Sequence, residues 1–188
     1  VGTRNVFVRF AACNLRCDVA EGESSPGGFA CDTEFESGRP LGAEEIVAEA
    51  EALWGAARAE RWVVLTGGEP ALQVDAPLVE ALRAAGFRCA METNGTVDVG
   101  PLGLDWLTVS PKVAEHAVKP RRCHEVKYVR GFGQGIPRPA IEADHHLIAP
   151  AYEGDVLPAR TLEWCVRLVK DHPGWRLSPQ LHKHWGIR

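Results

Sequence analysis

The sequence predicts an α/β fold: parallel strands, with reduced helices, in a pared-down barrel or sheet. Three observations predict it. Short apolar runs alternate with helical patterns along the chain, which implies parallel strands joined by crossovers. Three of the runs close on short polar signatures, TGGE, ETNG and SPK, and strand C-terminal ends are where α/β barrels build their sites. Two connections, 111–124 and 130–144, read as irregular rather than helical, so the barrel or sheet is abbreviated.

Taken in order, NVFVRF (5–10) alternates apolar and polar residues and reads as the first strand. It feeds a loop rich in Cys, Gly and Ser. GAEEIVAEAEALWGAAR (42–58) places Ile46, Val47, Ala50, Leu53, Trp54 and Ala57 at helical spacing, with acidic residues early, where the helix dipole favours them. WVVLT (62–66) is a short apolar strand ending in Gly67-Gly68. Residues 75–85 form a helix stopped by Gly86. FRCAMET (87–93) and LDWLTVS (104–110) are strands ending at Asn94-Gly95 and at Pro111, and EVKYV (125–129) and HHLIA (145–149) are two more. Leu162, Cys165, Val166 and Val169 mark one face of a helix over 159–171. The tail WRLSPQLHKHWGIR is too mixed to assign.

At 188 residues, with 45% hydrophobic and 24% charged residues, the chain has ordinary globular composition and room for a real core. One domain spanning 1–188 is expected, with an insert at 18–30. A net charge of −4 provides no basic field for nucleic acid. No apolar run is long enough to span a bilayer, and VGTRNVFVRF is not a signal peptide, so no membrane and a cytoplasmic location are expected. In that compartment thiols stay reduced, and clustered cysteines bind metal or do chemistry.

CNLRCDVAEGESSPGGFACDT (13–33) holds three of the six cysteines at the spacing C-x3-C-x13-C. One reading is a structural zinc site, with His116, His124, His145 or His146 as fourth ligand. It lacks the paired C-x2-C knuckles that usually mark zinc. A second is three unrelated thiols. A third is an iron–sulfur cluster on Cys13, Cys17 and Cys31, whose missing fourth thiolate leaves one iron open to a substrate or cofactor. The order of preference is cluster, zinc, coincidence. Cys89 and Cys165 fall in apolar patterns and read as core residues. Cys123 precedes a strand and takes no role.

A three-cysteine loop after the first strand and a GGE motif after the next resemble the radical S-adenosylmethionine (SAM) enzymes. CDT (31–33), TGGEP (66–70), ETNG (92–95), SPK (110–112) and the C-terminal LHKHWGI resemble, within them, the 7-carboxy-7-deazaguanine synthase family. The resemblance runs from Asn5 to the last residue and is weakest between Val113 and Asp144. It implies the partial barrel of the radical SAM type, a [4Fe–4S] cluster, SAM, Mg2+ and a homodimer. The implied reaction converts 6-carboxy-5,6,7,8-tetrahydropterin to 7-carboxy-7-deazaguanine with loss of ammonia, for queuosine and deazapurine biosynthesis. The electron donor would be a protein such as flavodoxin or ferredoxin.

Residue by residue, the resemblance makes Cys13, Cys17 and Cys31 the cluster ligands. Ala30, Cys31 and Asp32 would contact SAM, as would Gly67, Gly68, Glu69, Glu92, Ser110, Pro111 and Lys112. Thr33 would offer its hydroxyl to Mg2+. Arg9 would grip the substrate carboxylate, a task suited to a guanidinium fork, while Thr66 and the terminal carboxylate of Arg188 complete the substrate contacts. No side chain is expected to be catalytic beyond the cofactor, and His182 reads as a surface residue.

The sequence departs from the family at three places. The common radical SAM loop is C-x3-C-x2-C. Some members of the family carry an insert between the first two ligands, but that alignment would put the second ligand at Gly28, which cannot bind iron, so Cys17 takes the role. APAYEG (149–154) stands where relatives often show QPMDG, which leaves SAM contacts there to the backbone. Family members begin with a further strand and an LQGEG-like segment. Such a piece is expected before Val1, and without it the sheet edge at the first strand is exposed. Two other functions fit parts of the pattern: a glycyl-radical activase, and a zinc-stabilised binding module without catalysis.

Overall fold

The computed structural model describes residues 3–15, 17, 31, 33 and 35–186. The insert at 18–30, with Ala30, lies outside the described residues, as do Asp32, Arg188 and the side chain of His182.

Seven parallel strands form one sheet in sequential order: β1 (Val6–Phe10), β2 (Trp62–Gly67), β3 (Arg88–Thr93), β4 (Trp106–Val109), β5 (Arg122–Arg130), β6 (Glu142–Pro150) and β7 (Trp175–Leu177). Among the described residues β1 and β7 do not pair, so the sheet is open, as a partial barrel is. The helices are few: α1 (Ala43–Trp54), α2 (Ala76–Ala84), α3 (Ala159–Asp171) and the single turn α4 (Leu181–His184). Between β4 and β5, and between β5 and β6, no α-helix intervenes among the described residues.

Alternation decides which face is covered. Val63, Leu65, Cys89, Met91, Val109, Val126 and Ile148 are wholly buried. They share a core with Ile46, Ala50 and Trp54 of α1 and Leu78, Val79 and Leu82 of α2. α3 packs against β6 and β7 and brings Cys165 into the same core. The opposite face of the central strands carries smaller or polar residues, Val64 and Thr66, Ala90 and Glu92, then Thr108. Val64, Thr66, Ala90 and Thr108 are also buried, which explains why WVVL reads as a continuous apolar run.

Local signals set the helix ends. The Gly42 N–H donates to Glu45 Oε2 at 2.7 Å, and α1 stops at Gly55, whose φ is +82°. Asp75 caps α2 by accepting the Leu78 N–H at 3.0 Å.

The sequence reading of β5 and β6 is too short. Both strands run nine residues, paired from Arg122↔Glu142 to Arg130↔Pro150. Their early halves are polar, and cross-strand ion pairs of Arg122 with Glu142 (2.6 Å) and Asp144 (2.7 Å) hold them. Cys123 therefore lies within β5 rather than before it. In the unassigned tail, Trp175–Leu177 adds to the edge of β6 as β7. No helix of the described residues is long and apolar enough to cross a membrane.

Candidate active site at the strand ends

The site grows from the C-terminal ends of β1, β2, β3 and β4. At the end of β2 the chain turns through Gly67, whose φ of +120° only glycine adopts at ease. A Cβ at Gly67 would overlap the backbone of Phe10, and one at Gly68 would overlap the carbonyl of Ala12. The close approach here is by the chain itself. Gly68 N–H donates to Phe10 O at 2.9 Å and Glu69 N–H to Ala12 O at 2.9 Å. Ala12 N–H in turn donates to Phe35 O at 2.7 Å, so the two roots of the cysteine loop are tied together and to the GGE turn.

Glu69 is wholly buried, at 0% exposure. Its carboxylate accepts three hydrogen bonds: from Ala71 N–H (2.9 Å), the Thr93 hydroxyl (2.7 Å) and Asn94 N–H (2.7 Å). The last two come from the end of β3, so one side chain joins the β2 and β3 ends. Ser110 N–H donates to Thr93 O at 2.8 Å and brings the end of β4 to the same point.

Asn94, also buried, reaches back to the cysteine loop. Its side-chain amide donates to Asn14 Oδ1 at 3.0 Å and to Cys13 Sγ at 3.9 Å. Leu15 N–H points at the same sulfur from 3.5 Å. The Cys31 thiol donates to Thr33 O at 3.6 Å.

On the face away from the helices, register aligns Arg9 with Thr66, and Glu92 with Thr108. Thr66 donates to Glu92 Oε2 at 3.4 Å, and Lys127 Nζ lies 3.3 Å from Glu92 Oε1. Thr108 donates to Glu125 Oε2 at 2.9 Å. The result is a polar row across five strands beside the loop ends, with the Arg9 side chain exposed at its margin.

Of the residues nominated from sequence, the structure brings together Cys13, Gly67, Gly68 and Glu69, aligns Thr66 with Arg9 and Glu92, and sets Ser110 on Thr93. Pro111 and Lys112 follow on the β4 end, half-buried. Among the described residues no three His, Cys, Asp or Glu side chains are grouped to hold a metal ion, so Cys13, Cys17 and Cys31 are not gathered into one site. No disulfide engages any of the six cysteines. Burial pushes the other three thiols up, Cys89 to about 11, Cys123 to about 12 and Cys165 to about 11, as expected of core residues rather than ligands. Two histidines considered for zinc are engaged elsewhere in the sheet. His124 accepts the Leu107 N–H at 3.0 Å and stacks on Trp106, and His146 lies against Trp175.

The donor chemistry fits an iron–sulfur cluster. The three half-buried thiols of one loop are soft ligands, and N–H groups already aim at one of the sulfurs. Asn14, Asn94, Thr96, Thr108 and Lys127 were missed as site residues. Asn94 lay inside a quoted motif, but the others gain meaning only from neighbours that lie far along the chain.

No protein-family profile matches the chain. Curated proteins do match it along nearly its whole length. It is 40% identical to a 7-carboxy-7-deazaguanine synthase of Bradyrhizobium diazoefficiens, covering 100% of this chain and 91% of the relative. It is 40% identical to that of Bordetella pertussis (99% and 90%) and 39% identical to that of Burkholderia multivorans (99% and 90%). Among solved structures, QueE from Escherichia coli superposes with a TM-score of 0.62 at 22% identity, covering 95% of this chain and 86% of that one, and shares the fold.

Proposed function

The chain belongs to the 7-carboxy-7-deazaguanine synthase family, and on that premise we propose that it is a radical SAM lyase that makes 7-carboxy-7-deazaguanine from 6-carboxy-5,6,7,8-tetrahydropterin, releasing ammonia. The observation that carries this reading is the convergence of four strand ends on the cysteine loop through Gly68, Glu69 and Asn94. Cys13, Cys17 and Cys31 would hold a [4Fe–4S] cluster. The cluster and SAM, when bound, supply one-electron hydrogen-abstraction chemistry.

The chain's own residues bind and orient. Glu69 locks the β2 and β3 ends into a fixed rim, and its neighbours Gly67 and Gly68 leave main-chain groups there rather than side chains. Glu92, held between the Thr66 hydroxyl and the Lys127 ammonium, is a fixed acceptor for hydroxyl or ammonium groups of SAM. Ser110, Pro111 and Lys112 extend the same wall. Arg9 and Thr66 take the pterin, with the Arg9 fork on its carboxylate. Thr33 supplies a hard oxygen to Mg2+. Ala30, Cys31 and Asp32 are assigned to SAM and the Arg188 carboxylate to the substrate on family resemblance. We further propose one radical SAM domain over 1–188, a homodimer, a cytoplasmic setting and a flavodoxin- or ferredoxin-type donor.

Anaerobic reconstitution with iron and sulfide tests the ligand set. Cys13→Ala, Cys17→Ala and Cys31→Ala should each lose the cluster's visible absorbance, whereas Cys89→Ala should keep it. A wild-type protein that takes up one zinc and no sulfide would overturn the reading in favour of a binding module.

A further inference from the structure

We propose that Asn94 is a positioning residue for Cys13: its amide N–H, held in one orientation by Thr96 and Asn14, donates to the Cys13 sulfur and raises the reduction potential of the cluster bound there. The inference rests on the cluster reading above.

The orientation of the Asn94 amide follows from a donor that cannot act as an acceptor. Its Oδ1 receives the backbone N–H of Thr96 at 2.9 Å, so that atom is the carbonyl oxygen and the other is the NH2 group. The NH2 has two hydrogens and two acceptors, Asn14 Oδ1 at 3.0 Å and Cys13 Sγ at 3.9 Å. Asn14 must present its oxygen to Asn94, so its own NH2 faces the Thr96 hydroxyl at 2.8 Å. That hydroxyl in turn gives its hydrogen to Asn94 Oδ1 at 2.6 Å. Three side chains thus close a ring in which every hydrogen has one direction. Flipping either amide would set like against like.

Asn94 is also unable to retreat. Its backbone N–H is held by the buried Glu69 carboxylate at 2.7 Å. The next residue, Gly95, has φ of +81° and sits where a Cβ would crowd Val109 and Val118. Asn94 is only 8% exposed, so little water competes for its hydrogens. With Leu15 N–H at 3.5 Å, the Cys13 sulfur faces two N–H dipoles, one from the loop's backbone and one from the far strand end.

N–H groups directed at a cluster's sulfurs stabilise negative charge, and they stabilise the reduced cluster more than the oxidised one. The Asn94 contact therefore eases the one-electron reduction that opens the reaction. Because it spans 81 residues of chain, it also couples the cysteine loop to β3.

The test uses the full-length chain, reconstituted anaerobically with iron and sulfide and studied without SAM. Iron and sulfide content is measured first. A dye-mediated redox titration, read from the EPR signal of the reduced cluster, then gives the midpoint potential. Asn94→Ala should bind the same iron and sulfide as wild type with its potential shifted negative. The isosteric Asn94→Asp, which loses the donor and adds charge, should shift further in the same direction. Potentials equal to wild type, or shifted positive, would overturn the inference. So would failure of both variants to take up a cluster that wild type holds, because Asn94 would then serve loop assembly. A wild-type protein with no cluster would overturn the preceding reading as well, and shows itself before any variant is made.

Discussion

A carboxylate without water contact needs donors, and Glu69 finds three within the chain. Removing it leaves those donors unpaired inside the protein, at about 1–3 kcal/mol each. Glu69→Ala should therefore destabilise the fold by roughly 3 kcal/mol or more, read from the denaturant midpoint. Glu69→Gln keeps one carbonyl oxygen, still an acceptor, and should cost clearly less. Equal costs would mean that volume, not hydrogen bonding, is what the site needs. TGGEP singled out Glu69, but nothing in the motif pointed to its three partners. Two of them lie 24 and 25 residues away on the next strand end, and only the parallel pairing of β2 with β3 brings them close.

At the scale of elements, one junction carries the site and another ties the opposite ends of the strands. Where β2 meets the cysteine loop, Gly68→Ala would drive a Cβ into the Ala12 carbonyl. The expected result is a loss of about 1–3 kcal/mol with impaired cluster uptake, checked by thermal melts and iron analysis. At the start of β4, Asp105 joins two strands and a helix by accepting from Cys89 N–H at 2.9 Å and Arg83 at 3.3 Å. Partial burial raises its carboxyl, but that N–H and the Arg83 and Arg88 guanidiniums outweigh burial, and the net shift is downward. Its contribution is thus complete above the unfolded value of about 3.9 and is lost as pH falls through the lower folded value. Asp105→Asn should be less stable than wild type at pH 7, by about 1 kcal/mol, and the gap should close in strong acid, as pH-dependent melts would show. The helix α3 was legible to the residue because Leu162, Cys165 and Val169 keep strict helical spacing. β7 was not, because three residues with one exposed arginine have no period, and the strand is fixed by the waiting edge of β6. The polar halves of β5 and β6 were hidden for a related reason: their partners are each other.

For the whole molecule, the alternation of strands and helices and the signatures at strand ends made the open parallel sheet legible from sequence alone. The coupling of those ends was not legible, since it runs through Asn14, Asn94 and Thr96, residues that any turn contains. The coupling gives the account its physical content: the ends of β1 to β4 are held together as one rim, although Cys13, Cys17 and Cys31 are not gathered on it. The central claim is that this rim makes 7-carboxy-7-deazaguanine, and one measurement tests it most directly. The full chain is reconstituted anaerobically, reduced and given SAM, Mg2+ and 6-carboxy-5,6,7,8-tetrahydropterin, and the mixture is analysed by mass spectrometry. The account predicts the deazaguanine product, lost in Cys13→Ala. A chain that holds its cluster and cleaves SAM yet leaves the pterin unchanged would contradict it.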